Sequence, residues 1–403
     1  MTAWLPVGRE QRSWVPQDGT LSKRRAAMET GLYDSSLPAQ IAALEPTLPS
    51  AVQARVEDAT VEMSLFDAEA STLLGQREFV PFSVVLLRSE SAASSHIEDL
   101  TVGARQIALS ELGQEASQNA ATVSANVGAV KAALELADDL SESSIRAMHE
   151  TLMARFPFAE PGQYRTGVVW IGGFGPRSAA FAPPFPSHLA AAMRDLVRFT
   201  RRTDVPALTH AAIAHAQFAT IHPFADGNGR TGRALVQSML RAREVTRRVT
   251  VPVSAGLLHD VDQYFDALGS YRDGEVVPIV NVFVEAAGRA VTNGRQLVGE
   301  LVTLHAEWAA RISARKGSAV WDALDIVVGQ PVLDTRYLSA QLGVSIPTAQ
   351  GAITALENAG VLAQSVNGKK RNRVWHSAEV LDALDAFAER AGRRRQFLGK
   401  PRT

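Results

Sequence analysis

Cysteine is absent from this 403-residue chain, which excludes disulfides, thiolate metal sites, iron–sulfur clusters and cysteine nucleophiles together. Any metal must be held by carboxylate, imidazole, amide or ligand oxygen. An excess of one charge is also missing. Lys+Arg total 41 against Asp+Glu 42, so binding to nucleic acid or anionic membrane along the whole length is not expected and any charged function must be local. Long apolar runs are missing too. The most apolar stretch, Phe79 to Leu87, is about half of what a membrane-spanning helix needs. Residues Met1 to Asp18 include Arg9, Glu10 and Arg12 in place of the apolar run of a secretory signal. A soluble, intracellular, cytoplasmic protein with no membrane partner is expected. Aromatic residues are scarce at 6%, so with 46% hydrophobic and 21% charged residues a sizeable core must be filled by Ala, Leu and Val.

The length suggests roughly two to three domains. Residues 1–50 mix Pro, Gly, Ser and charge without sustained periodicity and read as an extended leader with short helices. Residues 51–140 read as a helical region, interrupted at Gly75 to Pro81 and followed by a helix cap at Ser141-Glu142-Ser143-Ser144. A core follows over 141–290. Within it, 161–186 combine Pro161-Gly162, the β-prone Val168-Val169-Trp170-Ile171, Gly172-Gly173-Phe174-Gly175-Pro176 and Pro183-Pro184, the pattern of a hairpin or flap. Helices are expected over Ser187 to Val197 and Leu208 to Ile221, the latter stopped by His222-Pro223. Another should begin within Gly229 to Ala234 and run to about Arg243. A connecting helix fills 291–317 and a separate block fills 318–403.

Chemistry concentrates in His222-Pro223-Phe224-Ala225-Asp226-Gly227-Asn228-Gly229-Arg230-Thr231-Gly232-Arg233. Two glycines around an asparagine let the backbone approach a ligand and turn N–H groups outward, and the following helix adds its positive dipole end: an anion cradle. Arg230 and Arg233, three apart on a helix, can grip two phosphates of one nucleotide. Asp226 offers the hard oxygen that Mg2+ would need, with phosphate and water completing the octahedron. His222 has an ordinary pKa suited to a general base near neutrality. A plain Gly/Asn turn with two surface arginines explains each feature singly. The combination within one short loop argues for a nucleotide site.

At these residues the chain resembles the Fic family, whose core pattern is H-P-F-x-D-G-N-G-R-x-x-R. The resemblance extends through Gly162-Gln163-Tyr164-Arg165, Ile171-Gly172-Gly173, Pro183-Pro184 and Tyr264-Phe265, over roughly residues 60 to 290. It implies a mainly α fold, a Fic-type helical core with a small β-hairpin flap, acting as a protein adenylyltransferase with ATP as substrate and Mg2+ as cofactor. His222 would deprotonate a Ser, Thr or Tyr hydroxyl of a protein target, including the chain itself, for attack on the α-phosphate. Asp226 would hold the metal. Gly227, Asn228 and Gly229 would cradle the phosphates, Arg230 would assist and Arg233 would bind the γ-phosphate, with Thr231 and Gly232 in the same nucleotide-binding stretch. Ile171, Gly172, Gly173 and Phe174 would line the nucleotide and register the target segment; Tyr264 and Phe265 would lie by the adenine with Arg272 nearby. Phosphate-transferring relatives depart from the G-N-G pattern kept here, which favours nucleotidyl transfer.

Upstream, Ser94-Ser95-His96-Ile97-Glu98-Asp99 puts Ser94 and Glu98 four apart on one helix face. Spacing alone describes a capped surface helix with an exposed glutamate. The segment also resembles the inhibitory motif of Fic proteins, S/T-x-x-x-E-G/N, which implies an inhibitory helix near 90–100 whose Glu98 pairs with Arg233 and displaces the γ-phosphate. Asp99 departs from the motif's Gly or Asn. The same glutamate could also position water to remove AMP.

In the last block, Leu333 to Leu342, Gly343-Val344-Ser345 and Ile346 to Ala359 have helix-turn-helix spacing, and Asn367-Gly368 marks a hairpin carrying Lys369, Lys370, Arg371 and Arg373. A winged helix-turn-helix domain with a basic tail is expected. DNA contact by this block would make the chain a regulator whose core senses nucleotide. The alternatives are packing on its own core, recruitment of a protein, or a homodimer, and Ile346 to Ala359 holds no Lys or Arg. Residues 366–403 hold ten Lys/Arg and four Asp/Glu, so a near-neutral total conceals a basic end on an acidic body. His210 and His215 lack the spacing of a two-histidine metal site and read as packing residues.

Overall fold

The computed structural model describes residues 4–17, 19–73, 75–114, 116–365 and 373–392. The leader holds more structure than its composition suggests. Strand β1 (Gly8–Trp14) pairs antiparallel with β2 (Gly31–Leu37), and the short helix α1 (Lys23–Glu29), capped by Ser22, lies between them. Neither strand is rich in β-branched residues. What stabilises them is pairing with each other and burial of Tyr33, Ser35 and Ser36 against the body.

The body is helical. Helix α2 (Ser50–Leu73) and helix α3 (Gly75–Ile97) follow one another, then α4 (Ala104–Glu111), α5 (Gln118–Glu135) and α6 (Glu142–Met153). The interruption expected at Gly75 to Pro81 is not there: α3 runs straight through Pro81. Proline's fixed φ is compatible with a helix, and one lost backbone bond is offset by burial of the turns that follow, at Phe82, Val85 and Leu86. The Ser141 cap is present as a capping box with Ser144.

Helix α7 (Leu189–Thr200) leads to α8 (Ala207–Ile221), which is buried on nearly every side and forms the axis of the core. Around it pack α9 (Asn228–Ala242), α11 (Val261–Arg272) and the 35-residue α12 (Val277–Arg311), while α10 (Val253–Leu258) packs on α12 and α3. The last of these runs unbroken through residues 290 and 291, so no turn separates core from connecting helix.

The C-terminal block contains α13 (Ala319–Gly329), β3 (Val332–Leu333), α14 (Thr335–Leu342), α15 (Ile346–Asn358), β4 (Ala363–Gln364), β5 (Trp375–His376) and α16 (Ala378–Ala391). Gly343, with φ +64°, makes the turn between α14 and α15. The three short strands form an antiparallel sheet in the order β3-β5-β4. The Asn367-Gly368 turn, Lys369, Lys370, Arg371 and the basic tail from residue 393 lie outside the described residues.

This block packs on the body through α13 and α16, which both touch α3. Arg88 on α3 is only 3% exposed; it donates to the Gly329 carbonyl at 2.8 Å and to Gln330 Oε1 at 2.9 Å, and pairs with Glu111. Helix α3 is therefore shared, with one face on the C-terminal block and another on α9 and α10.

Candidate active site

The loop between α8 and α9 is shaped by two left-handed residues. His222, with φ +50°, ends α8, and Gly227, with φ +77°, begins α9. A Cβ on Gly227 would crowd Met153 Sδ and Leu152 Cδ2 at 3.0 and 3.1 Å, so only glycine satisfies both backbone and packing. Asn228 turns inward: its Oδ1 accepts from the Phe224 N–H at 2.9 Å and its Nδ2 donates to the Phe224 carbonyl at 2.8 Å. The asparagine side chain ties the loop together, leaving ligand contact to the backbone.

Two residues without a place in the sequence-based site hold this loop. Arg165, 3% exposed, donates to the carbonyls of His222 (2.8 Å), Pro184 (2.6 Å) and Gly167 (3.0 Å), joining the loop to the flap segment. His149, fully buried, stacks on Phe224 at 3.7 Å with the rings 1° from parallel. Its Nδ1 accepts from the Gly162 N–H, so its Nε2–H donates to the Asp226 carbonyl, both at 3.0 Å. Burial pushes His149 down to about 4, and at neutral pH it is an uncharged spacer. Arg165 stands in a segment the sequence singled out; His149 carries no local signal.

His222 is half-buried. Burial first, then the Arg165 and Arg272 guanidiniums, hold its pKa down to about 4 against a hydrogen bond to the Ala219 carbonyl. A neutral imidazole carries one N–H and leaves its other nitrogen as an acceptor.

Helix α9 opens with Arg230 and Arg233 and has no acidic residue in its first turn. Two cations at the positive end of a helix are unfavourable unless an anion joins them. Arg230 is 5% exposed, its Nη2 lies 3.7 Å from Asp226 Oδ1, and its Nε and Nη1 are buried without a hydrogen-bond partner among the described residues. Such donors are costly unless a ligand meets them.

Arg233, 2% exposed, already has its anion. Its Nε donates to Ser94 Oγ at 2.8 Å, and its Nη2 donates to the Ser94 carbonyl at 2.7 Å and to Glu98 Oε1 at 2.8 Å. Burial opposes the Glu98 charge, but Arg233, Arg230 and His222 outweigh it and lower its pKa. The carboxylate reaches so far over α9 that a Cβ on Gly229 would overlap Glu98 Oε1. Glu98 follows the last residue of α3, and the next residue, Asp99, has φ +61°. A left-handed residue at this place is what Gly or Asn adopts most easily, and Asp is among the few others that tolerate it.

Other expected residues lie differently. Gly232 faces α8, where a Cβ would meet Phe218 at 2.9 Å and His215 Nδ1 at 3.1 Å, so it serves helix packing. Thr231 is fully buried. Tyr264 is 2% exposed and bonds His215 Nε2 at 2.6 Å, and its hydroxyl lies near enough to interact with the Arg233 charge. Phe265 remains 42% exposed beside it. Arg272 lies over the Phe181 ring at 3.8 Å, and burial lowers its pKa to about 10.

The flap is not a hairpin: one antiparallel bridge, Ile171 to Phe181, replaces the expected strands. Positive φ at Gly172 and Gly173 breaks the extended run, and Trp170 packs edge-on against Trp14 of β1.

Among the described residues no three His, Asp or Glu side chains gather around a common metal position. Asp226, its side chain 54% exposed, is the carboxylate at the cradle. One carboxylate suits a magnesium ion that arrives with nucleotide phosphates, and does not suit an ion held by protein alone.

The fold and loop thus define a mainly helical protein with an anion cradle beside a histidine. Residues 139–240 match the Fic/DOC family. Protein adenylyltransferase Fic of Drosophila erecta is 27% identical over 165 residues, 40% of this chain and 31% of that one. Protein adenylyltransferase fic-1 of Caenorhabditis elegans is 29% identical over 146 residues, 36% of this chain and 26% of that one. The chain thus spans about a third or less of the length of these curated relatives. A solved Fic family protein from Desulfovibrio desulfuricans G20 shares the fold, with a TM-score of 0.52 and 22% identity over 83% of this chain and 99% of that one. These likenesses support a Fic-type domain over residues 139–240 of the chain. No helix among the described residues is long and apolar enough to cross a membrane.

Proposed function

We propose that the protein is an adenylyltransferase that moves AMP from ATP to a protein hydroxyl, and that Glu98 holds it in an inhibited state. The supporting observation is the carboxylate of Glu98 seated over Gly229 and bonded to Arg233, in a cradle where Arg230 still has unused buried donors. A protein anion occupies ground suited to a phosphate.

In the reaction, the free ring nitrogen of His222 takes the proton of the acceptor hydroxyl. The oxygen attacks the α-phosphorus, the bond to the bridging α–β oxygen breaks, and pyrophosphate leaves. His222 is neutral at pH 7, the form a base requires, and negative phosphates beside it would raise its basicity. The 227–229 amides and Arg230 stabilise charge on the phosphates, and Arg165 and His149 keep the loop in place by holding its carbonyls. Asp226 would hold Mg2+, which when bound neutralises phosphate charge.

We read the C-terminal block as a winged helix that braces α3 and not as a reader of DNA. Its contacts run to α3, α4 and α12, and the exposed positions of α15, such as Thr348, Gly351 and Thr354, carry no cation. Incubation with ATP labelled in the α-phosphate tests the activity. Label should enter protein with the Glu98→Gly chain and be lost when His222→Ala is added; label that survives loss of His222 would overturn the assignment.

A further inference from the structure

We infer that the leader hairpin, residues 8–37, is a positioning element for the flap and through it sets how the acceptor segment lies beside the nucleotide. This rests on the proposed transfer reaction and on the flap, 171–181, being its acceptor side.

The flap has little to hold it by itself. Beyond the single bridge, Gly172 and Gly173 have left-handed φ of +70° and +74°, and a local bond runs from the Phe174 N–H to Ser178 Oγ at 2.9 Å. Arg272 lies over the Phe181 ring at its far end, and the leader supplies further contacts. Arg177 Nη1 donates to the Met28 and Thr30 carbonyls at the end of α1, at 2.8 and 2.7 Å. Glu29, 4% exposed, accepts from the Ser178 N–H at 3.3 Å, and a Cβ on Gly175 would overlap its carboxylate. Arg25 covers the Phe174 ring at 4.0 Å. Beyond the loop, the Ser36 N–H donates to the Ala182 carbonyl at 3.0 Å and Ser35 Oγ donates to the Pro183 carbonyl at 3.2 Å.

A loop gripped at its tip and at its exit presents one backbone course to an acceptor. Preorganisation of this kind reduces the ordering that the acceptor must impose on binding. Arg25 on Phe174 also narrows what can lie against the ring, so the leader contributes to acceptor selection as well as flap position.

The test uses the full chain in the Glu98→Gly background. Arg25 and Arg177 are exposed, so Arg25→Ala with Arg177→Ala removes the grip while leaving the core intact. Hydrogen exchange at amides 172–180 should quicken by about tenfold or more on losing these charge-assisted contacts. Arg25→Lys alone keeps a cation over the ring and should stay near the parent. With labelled ATP and the His222→Ala chain as acceptor, KM for acceptor should rise several-fold, while ATP affinity and the rate at saturating acceptor hold. Unchanged exchange, or ATP affinity falling in step with acceptor KM, would overturn the inference. Absence of label with every variant would instead contradict the proposed reaction, and the exchange data would still decide what the leader does.

Discussion

Replacing Glu98 by glycine should raise affinity for ATP selectively over ADP. Arg233 is 2% exposed and makes one charge-assisted bond to Glu98 at 2.8 Å besides its two bonds to Ser94. Such a bond contributes about 1.5–3 kcal/mol. The Glu98 side chain is 38% exposed, so water screens the pair and the lower half of that range applies, about 1.5–2 kcal/mol. A third phosphate seeking Arg233 must displace this bond. At about 1.4 kcal/mol per tenfold, Glu98→Gly should tighten ATP binding by roughly 10- to 30-fold. ADP has no third phosphate to place there and should change by less than about threefold on the same reasoning. The variant should also be less stable by about 1–2 kcal/mol, because Arg233 keeps its buried charge with fewer partners. Calorimetric titration with both nucleotides, beside urea denaturation, reads all three quantities. Equal gains for ATP and ADP, or no gain, would refute the displacement argument; opposite signs for affinity and stability distinguish it from general loosening.

Other consequences follow from the same contacts. With the His222 pKa near 4, its base form prevails throughout pH 5–7. The rate constant kcat/KM should therefore lack a His222 limb near 6.5 and fall as pH drops through about 4; an acid limb at 6.5 traceable to His222 would show an unperturbed base. His149, His210 and His215 are buried and each lowered to about 4. Between their folded pKa and about 6.5 the unfolded chain binds more protons, so stability is full above about 6.5 and declines from there towards pH 4, by up to several kcal/mol in sum. Denaturant midpoints across that window give the measurement, and a flat profile would contradict it. Gly232→Ala should destabilise by about 1–3 kcal/mol although alanine is the better helix former, because the added methyl meets Phe218 and His215; a neutral or stabilising result would show that α8 and α9 can part.

What could be read from the sequence was local. His222 to Arg233 is one turn and one helix start, so spacing alone brings base, carboxylate, amides and guanidiniums together. Ser94 and Glu98 needed one further fact, which residue faces them, and the family pattern supplied Arg233, the partner that the fold shows. Residues whose partners are distant backbone groups left no such trace. Arg165 grips the carbonyls of His222 and Pro184, and His149 bridges Gly162 and Asp226. No pattern of residue types records a carbonyl. The leader strands were hidden for the same reason: their stability comes from each other and from the flap, not from β-branched side chains. Pro81 shows the converse error, where a strong local breaker lies inside a continuous helix.

The most direct measurement is intact-protein mass spectrometry of the Glu98→Gly chain after incubation with ATP and magnesium, followed by peptide mapping. The account predicts an added AMP group on a hydroxyl side chain, with pyrophosphate released, and an unmodified chain when His222→Ala is combined with Glu98→Gly. An added phosphate in place of AMP, an adduct that persists without His222, or an unmodified Glu98→Gly chain would contradict it.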